Sequence, residues 1–263
     1  MVMSPAQDTP TAMIDRVASL LQVLDGQHHC TLAQISRQTR VPRSSAHRIL
    51  QRLVDLGWVE RHGFNYSLGI RMFELGVRVV HRDQVHGAAL PVMHALYRST
   101  GLTAYLSVLQ STDILHIERV GGWPERAAGW HLGGRQPAVH CAAGRALIAR
   151  LDEALWPELA VLQPPTSRAI CGPTALRREL YRVRDRGGVA IDNEGCVPGT
   201  IAVAAPVGPS GAGINAALTL CGPAPAVQTD KAMAAVHAAA MNIWQAAAGV
   251  PRRRGQRALA TTA

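Results

Sequence analysis

Long apolar runs are missing from this chain of 263 residues. No stretch of about 18 uncharged apolar residues occurs, and the chain start has neither the basic residues nor the apolar core of a signal peptide. These absences predict a cytoplasmic protein with no membrane partner. The five cysteines have no paired spacing and the eleven histidines form no H-E-x-x-H pattern. We therefore expect no disulfide framework, no metal site and no cofactor.

Lysine is almost absent, because Lys231 is the only one, and acidic residues are unevenly distributed. Residues 1–82 carry 10 arginines against 6 acids, residues 83–250 carry 13 cations against 12 acids, and residues 251–263 carry 4 arginines and no acid. The basic excess therefore lies outside a nearly neutral centre. This distribution is typical of a nucleic-acid-binding module followed by a domain with another task.

The segment Gln27–Val54 contains five arginines and no acidic residue. Within it, Thr31 is placed to cap a helix from about Leu32 to Thr39. Pro42 cannot continue that helix but suits the first turn of another, so a second helix is expected from Arg43 to Leu56. Two short helices joined by a tight turn are the sequence form of a helix-turn-helix.

The second of these helices has one apolar and one polar face. Apolar residues recur every three or four positions and predict a buried face made of Ala46, Ile49, Leu50, Leu53, Val54 and Leu56. The other face combines short hydroxyl groups with long cations, which suits the major groove of DNA. The predicted contacts to base edges are Arg43, Ser44, Ser45 and His47, and the predicted contacts to phosphate are Arg48, Arg52 and Arg61.

Two short strand patterns, Trp58–Glu60 and Tyr66–Leu68, follow the second helix. They flank a turn in which Gly63 and Asn65 can take a positive φ, so a hairpin, or wing, is expected. Ahead of the motif, an apolar stripe predicts a third helix of a small core, made of Met13, Val17, Leu20, Leu21 and Leu24. The alternative to DNA reading is an ordinary three-helix bundle with a solvated basic face.

The rest of the chain alternates between helix and strand patterns. One connecting helix is expected from about Leu68 to Val85, followed by a helix Gly87–Thr100 whose inward residues are Leu90, Met93, Leu96 and Tyr97. Strands are predicted at 103–109, 114–120, 200–207 and 214–220, and helices at 142–151, 174–186 and 230–247. An antiparallel sheet with helices packed on it is the simplest arrangement, so the fold class is α+β.

Short motifs spread along the chain occur together in one known family. They are Val41–Leu50, Trp58–Arg61, Tyr66–Gly69, Thr100–Thr103, Ile117–Val120, Ala142–Ala146, Arg184–Glu194, Ala204–Val207 and Leu220–Pro223. In this order they resemble the IclR-family transcriptional regulators, over roughly Met13 to Ala248. Each motif alone is weak, but the series is specific.

The resemblance implies a winged helix-turn-helix domain at 13–69, joined by a linker helix at 70–86 to a GAF-like, antiparallel-sheet effector-binding domain at 87–250. Residues 1–12 and the basic tail 251–263 are expected to be disordered. A homodimer or homotetramer would bind a palindromic or pseudo-palindromic operator, act as a repressor and respond to a small organic acid. The implied effector-pocket residues are Ala142, Ala143, Gly144, Asp192, Ala202, Thr219 and Cys221.

Departures from the family pattern indicate which acid to expect. Ala202 stands where the family often has a cysteine, and Thr219 and Cys221 stand where it often has two serines. The pocket should therefore be less polar than those built for the smallest keto acids. Trp123 and Trp130 lie in a loop that could cover it. We expect an aromatic or other larger, mainly apolar acid, with its carboxylate at the free N–H groups of a helix N-terminus.

Two other classes of function are open from the residues alone. His140 and Cys141 could be imagined as base and nucleophile, but adjacent residues on an extended segment point to opposite sides. Asp192 and Glu194 are a carboxylate pair of a kind that is common in turns. We therefore expect no enzyme activity. An architectural DNA-binding protein without an effector is the second alternative, and it leaves the large second module unexplained.

Overall fold

The computed structural model describes residues 12–27, 29–81, 83–123, 130–156 and 164–249. It divides into residues 1–82 and residues 83–263, here called unit 1 and unit 2. The tail 251–263 and residues 1–11, both predicted to be disordered, lie outside the described ranges. Among the described residues, no helix is both long and apolar enough to span a bilayer, and no cluster of three metal-ligating side chains is found.

Unit 1 consists of helices surrounding a small sheet. Its elements are α1 (Met13–Gly26), β1 (Cys30–Thr31), α2 (Leu32–Thr39), α3 (Arg43–Asp55), β2 (Val59–His62), β3 (Asn65–Leu68) and α4 (Ile70–His81). The three strands are antiparallel in the order β1-β3-β2. Apolar side chains of α1, α2 and α3 meet in one core, which confirms the helix-turn-helix and its wing.

Both ends of α2 are fixed by local structure. The Thr31 hydroxyl accepts from the backbone N–H of Gln34 at 3.3 Å, and the Gln34 side chain accepts from the Thr31 N–H at 2.8 Å, so both orphan donors are satisfied. At the other end, Arg40 takes a left-handed φ of 57°. The Thr39 hydroxyl then accepts from the Val41 N–H at 3.3 Å. These bonds set the direction in which α3 leaves the turn.

Three details of unit 1 differ from the expectations. Met13, predicted in the buried apolar stripe of the first helix, is 52% exposed because it is the first residue of α1. Leu56, predicted on the buried face of α3, is 47% exposed because the helix ends at Asp55 and Leu56 is its C-cap. Asn65, predicted to take a positive φ, instead pairs with His62 in the sheet. The turn is therefore only two residues long, and its positive φ of 63° belongs to Gly63.

The single connecting helix expected from Leu68 to Val85 is instead two helices. The first, α4, ends at His81, and the next, α5 (Gln84–Thr100), begins after Asp83. The Asp83 carboxylate accepts from the Val85 N–H at 2.8 Å, so it caps a new helix at the boundary between the two units. The cap at Asp83 therefore ends the continuity that the apolar pattern predicts.

Unit 2 contains one large sheet, four α-helices and two short 3-10 helices, at Glu153–Leu155 and Ala224–Ala226, among its described residues. After α5 come β4 (Thr103–Gln110), β5 (Asp113–Val120), β6 (Arg135–Pro137), α6 (Ala142–Ile148), α7 (Pro173–Asp185), β7 (Ala190–Asn193), β8 (Thr200–Pro206), β9 (Ala216–Pro223) and α8 (Thr229–Ala247). The six strands are antiparallel in the order β6-β5-β4-β9-β8-β7. This confirms the α+β fold class. The strands β6 and β7 were not among the predicted strands, because segments of three and four residues are too short to show an alternation of period two.

The sheet of unit 2 is buried on both faces. One face packs against α5 and α8, through residues such as Leu106, Leu218 and Val236. The other packs against α6, which in turn contacts α7, and is called the α6 face here; it carries Tyr105, Ala202, Ala204, Ala217 and Cys221. Lys231, on the first turn of α8, is exposed.

The inward stripe of α5 is rotated from its predicted position. Leu90 and Tyr97 are 36% and 38% exposed, whereas Met93 and Leu96 are buried as expected. The buried stripe includes Val85 and Ala89 instead. The small side chain of Ala89, and not the large one of Leu90, therefore faces the interior, because α8 packs closely on this helix.

Candidate nucleic-acid interface and ligand site

The polar face of α3 is exposed and basic. Arg43, Ser44, His47, Arg48 and Arg52 are all exposed, and Ser45 is half-buried. None of the ion pairs found among the described residues uses these arginines. Their charges are therefore not neutralised inside unit 1, as a surface that binds phosphate requires.

The predicted phosphate contact of the wing, Arg61, lies along β2. Its Nε donates to the Gly63 carbonyl at 2.9 Å, and its guanidinium carbon lies 5.7 Å from the centroid of the buried Tyr66 ring. These contacts orient Arg61 on the exposed hairpin. Arg61 is exposed, which is compatible with the predicted role.

The predicted effector residues come together on the α6 face and on the first turn of α6. The strand register places Asp192 opposite Ala202, and Ala202 opposite Cys221. Thr219 lies two residues before Cys221 on β9. It is opposite Ala204 on one neighbouring strand and opposite Tyr105 on the other. Ala142, Ala143 and Gly144 are buried against this face at the start of α6. All seven residues are buried, so they belong to the interior of unit 2.

A buried ion pair connects α6 to β7. Arg145, 1% exposed, donates to Asp192 Oδ1 at 3.1 Å, and also to the carbonyls of His140 at 2.7 Å and Ile191 at 2.9 Å. Asp192 Oδ2 accepts from the Cys196 N–H at 3.0 Å. Both carboxylate oxygens of Asp192 are thus engaged within the protein. A direct contact of Asp192 with an effector stays a prediction.

The segment before α6 has helix-capping geometry. Cys141 is the N-cap of α6, and its Sγ accepts from the Gly144 N–H at 3.4 Å. Burial raises the pKa of the Cys141 thiol to about 11 and lowers the pKa of His140. A nucleophilic cysteine needs a low thiol pKa, so this pair lacks the property on which the enzyme interpretation depends.

Several buried polar atoms around the α6 face have no hydrogen-bond partner within the described residues. They are Thr219 Oγ1, Thr200 Oγ1, Gln136 Oε1, His116 Nε2 and both ring nitrogens of His140. Leaving a buried polar group unpaired costs about 1–3 kcal/mol, so such atoms usually meet a ligand or water. They mark this interior as a candidate ligand site.

Sequence reasoning missed His116 and its neighbours. Its Nδ1 lies 2.8 Å from Ser107 Oγ, and its ring packs 4.9 Å from that of Tyr105 and 5.8 Å from that of Trp130. The Tyr105 hydroxyl donates to the Trp130 carbonyl at 3.0 Å. The available signal was the alternation of Thr103, Tyr105 and Ser107 with apolar residues along β4.

His116 makes the stability of unit 2 depend on pH. Burial, helped by repulsion from His131, lowers its pKa from 6.5 to about 4. Below pH 6.5 the unfolded chain therefore binds a proton that the folded chain rejects. The stabilisation is fully present above pH 6.5 and falls by about 1.4 kcal/mol per pH unit as the pH drops towards 4.

Urea unfolding of unit 2 at several pH values between 7 and 4.5 measures this effect. The His116→Gln variant should have a shallower slope than wild type, with a remainder from His140, whose pKa is also lowered. The exposed His237 provides the control, since His237→Gln should keep the wild-type slope. Equal slopes for wild type and His116→Gln would contradict the assignment.

Comparison with protein families matches residues 13–63 to the IclR helix-turn-helix domain and residues 77–245 to the C-terminal domain of bacterial transcriptional regulators of the IclR type. The Pca regulon regulatory protein of Pseudomonas putida is 29% identical over 218 residues, which are 81% of this chain and 74% of that protein. The HTH-type transcriptional regulator XynR of Escherichia coli is 30% identical over 220 residues, 79% of this chain and 86% of that protein.

Solved structures share the fold. An IclR homologue from Microbacterium hydrocarbonoxydans, complexed with 4-hydroxybenzoate, superposes with a TM-score of 0.79 at 24% identity, covering 90% of this chain and 100% of that chain. An IclR-type regulator from Alicyclobacillus acidocaldarius superposes with a TM-score of 0.77 at 24% identity, covering 89% and 98%. Together with the two matched domains, these similarities show that the chain belongs to the IclR family of bacterial transcriptional regulators.

Proposed function

We propose that this regulator acts as a homo-oligomeric repressor that reads a palindromic or pseudo-palindromic operator with α3. A small aromatic carboxylic acid, bound on the α6 face of unit 2, would change its affinity for that operator. The observation that carries the proposal is the pairing of an exposed, uncompensated basic helix in unit 1 with unpartnered polar atoms inside unit 2. An effector can shift DNA affinity only by preferring one of two states of the protein.

A second copy of the chain is supported by the surface of α4. Ile70 and Phe73 are 64% and 66% exposed, and Val79 is 72% exposed. Ile70 and Phe73, three positions apart, share one face of the helix, and large apolar side chains exposed in this way are unfavourable in water and suit an interface between copies. Two copies would place two α3 helices in successive major grooves, which accounts for a two-fold related operator.

The roles of individual arginines on α3 can be separated by substitution. Arg43→Ala should reduce the preference for operator over scrambled DNA by about 10- to 100-fold, because a base contact carries about 1–3 kcal/mol of discrimination. Arg48→Ala should weaken binding to both duplexes and lower the salt dependence by about one phosphate contact. Fluorescence anisotropy at two salt concentrations measures both effects.

The operator for this test is obtained by selection from a random duplex pool with the purified protein. If Arg43→Ala keeps the full preference, Arg43 does not read bases. If the wild-type protein binds selected and scrambled duplexes equally, with steep salt dependence, it is an architectural DNA-binding protein instead. Both outcomes are read without knowing the effector.

An aromatic acid is supported by the chemistry of the α6 face. The rings of Tyr105 and Trp130 lie 5.4 Å apart, and the unpartnered Thr219 hydroxyl is opposite Tyr105 in the sheet. The guanidinium carbon of Arg119 lies 5.7 Å from the Tyr105 centroid, which brings a positive charge to this region. The 4-hydroxybenzoate bound to the Microbacterium homologue belongs to the same chemical class.

Calorimetry with 4-hydroxybenzoate, benzoate, acetate and pyruvate tests the class of effector. Aromatic acids should bind, and the bound acid should change operator affinity in the anisotropy assay. Thr219→Val should weaken aromatic-acid binding about fivefold, as loss of one hydrogen bond of about 1 kcal/mol implies. Thr229→Val is the matched control, because Thr229 lies on the first turn of α8, which packs on the other face of the sheet, and it should bind the acid like wild type. Binding of only the two- and three-carbon acids would contradict the proposal.

A further inference from the structure

A second candidate ligand site in unit 2 lies where the C-terminal ends of α6, α7 and β8 meet the side of α8. It is a cleft of about 600 Å³, lined among others by Arg150, Arg184, Ser210 and His237. The lining contains two arginines and a histidine but no acidic residue. A concave surface with only cationic and neutral donors is chemically suited to an anion.

Arg150 is the central cation of this cleft. It is half-buried, and its guanidinium donates to the carbonyls of Val207, at 3.4 Å, and Pro209. Among the described residues, no carboxylate pairs with it. Burial lowers the pKa of Arg150, and no acidic group offsets that effect. A partly desolvated positive charge met only by carbonyl dipoles is stabilised when an anion binds beside it.

Arg184 contributes differently to the cleft. Its Nε donates to the Ala149 carbonyl at 2.7 Å and one Nη to the Leu151 carbonyl at 2.8 Å, so it caps the C-terminal end of α6. Its charge is shared with Glu153, which accepts at 2.9 Å. Arg184 therefore has a structural role in the lining of the cleft. Arg150 is the arginine of the lining whose charge is not balanced by a carboxylate of the described residues.

The other side of the cleft offers neutral donors. Ser210 and His237 are exposed in its wall, and neither has a hydrogen-bond partner among the side-chain bonds of the described residues. An imidazole and a hydroxyl facing a guanidinium can hold an oxyanion from two sides. The volume is larger than inorganic phosphate requires, which leaves room for the organic part of a small metabolite.

We propose that this cleft is a binding site for a small dianion, either a phosphate monoester or a dicarboxylate, with Arg150 as its main counter-ion. The cleft is lined by residues of unit 2 and by none of the predicted effector or DNA-binding residues, so the proposal is independent of those assignments. Because α6 ends beside this cleft and begins among the predicted effector residues, the two sites are positioned to influence each other.

Titration calorimetry without DNA tests this proposal, with inorganic phosphate in one arm and succinate in the other. Chloride at matched ionic strength controls for general screening. Wild type should bind at least one of the two dianions, and Arg150→Met should weaken it by tenfold or more. Arg178→Ala is the matched control, since Arg178 is an exposed arginine of α7 that does not line the cleft, and it should bind like wild type.

His237→Ala keeps the test decisive if Arg150→Met does not fold, because His237 is exposed and its loss leaves the core intact. This variant should weaken dianion binding severalfold. Stronger binding of phosphate identifies the phosphate-ester class, and stronger binding of succinate the dicarboxylate class. Binding of neither dianion beyond the chloride control overturns the proposal, as does equal weakening in the cleft variants and Arg178→Ala.

Discussion

Asp192→Ala is expected to destabilise unit 2 by about 3–5 kcal/mol, because it leaves the buried Arg145 guanidinium without its counter-ion. The substitution also removes the acceptor of the Cys196 N–H, so the segment after β7 loses its anchor. Asp192→Asn should cost less, since its amide oxygen can still accept one of these bonds. Chemical denaturation followed by tryptophan fluorescence gives the free energy of unfolding for each variant.

A neighbouring ion pair provides the control for Asp192→Ala. Arg168 pairs with Glu194, two residues from Asp192, but its side chain is 60% exposed. Arg168→Ala should therefore cost no more than about 1 kcal/mol, as exposed pairs do. If Asp192→Ala and Arg168→Ala had the same effect, the Arg145–Asp192 pair would not hold α6 to the sheet.

Gly144→Ala is expected to cost more than about 3 kcal/mol, beyond the usual range for overpacking. A Cβ at Gly144 would lie 2.0 Å from the Ala138 carbonyl oxygen and 2.4 Å from its carbon. These are backbone atoms of a buried residue, so no side-chain rotation relieves the clash. Either α6 must move off the sheet or the segment before it must shift.

Gly87 is the natural comparison, because it also lies within a helix. Nothing lies within 4 Å of a Cβ built at Gly87, and the residue is exposed in the second turn of α5. Gly87→Ala should therefore stabilise unit 2 by about 0.5–1 kcal/mol. Opposite signs for these two identical substitutions would show that close approach, not helix propensity, explains Gly144. A loss below 1 kcal/mol for Gly144→Ala would contradict this.

Unit 1 was largely predictable because its structure is set by local chemistry. The Thr31 cap and Pro42 mark where α2 and α3 begin, and the structure places both starts at the predicted residues. The apolar period of α3 correctly identified Ala46, Ile49, Leu50 and Leu53 as buried. The prediction that Leu56 is buried was wrong, because the end of the helix and not the apolar periodicity decides its exposure.

Unit 2 depends more on contacts between residues distant in sequence. The rotated stripe of α5 follows from close packing against α8, which no local pattern encodes. The pairing of Arg145 with Asp192 spans 47 positions, and that of Ser107 with His116 crosses two strands. The family resemblance predicts Asp192 and Thr219 as site residues, but only the strand register places Thr219 beside Tyr105.

The position of Lys231 has a practical consequence for spectroscopy. Since it is the only lysine and is exposed on α8, it offers the only side-chain amine for coupling a dye. Guanidinium groups do not react under the same conditions, so the arginines of α3 stay unmodified. One fluorophore on a helix packed against the sheet would therefore turn the protein into an optical reporter of small molecules entering unit 2, with its DNA-binding surface chemically intact.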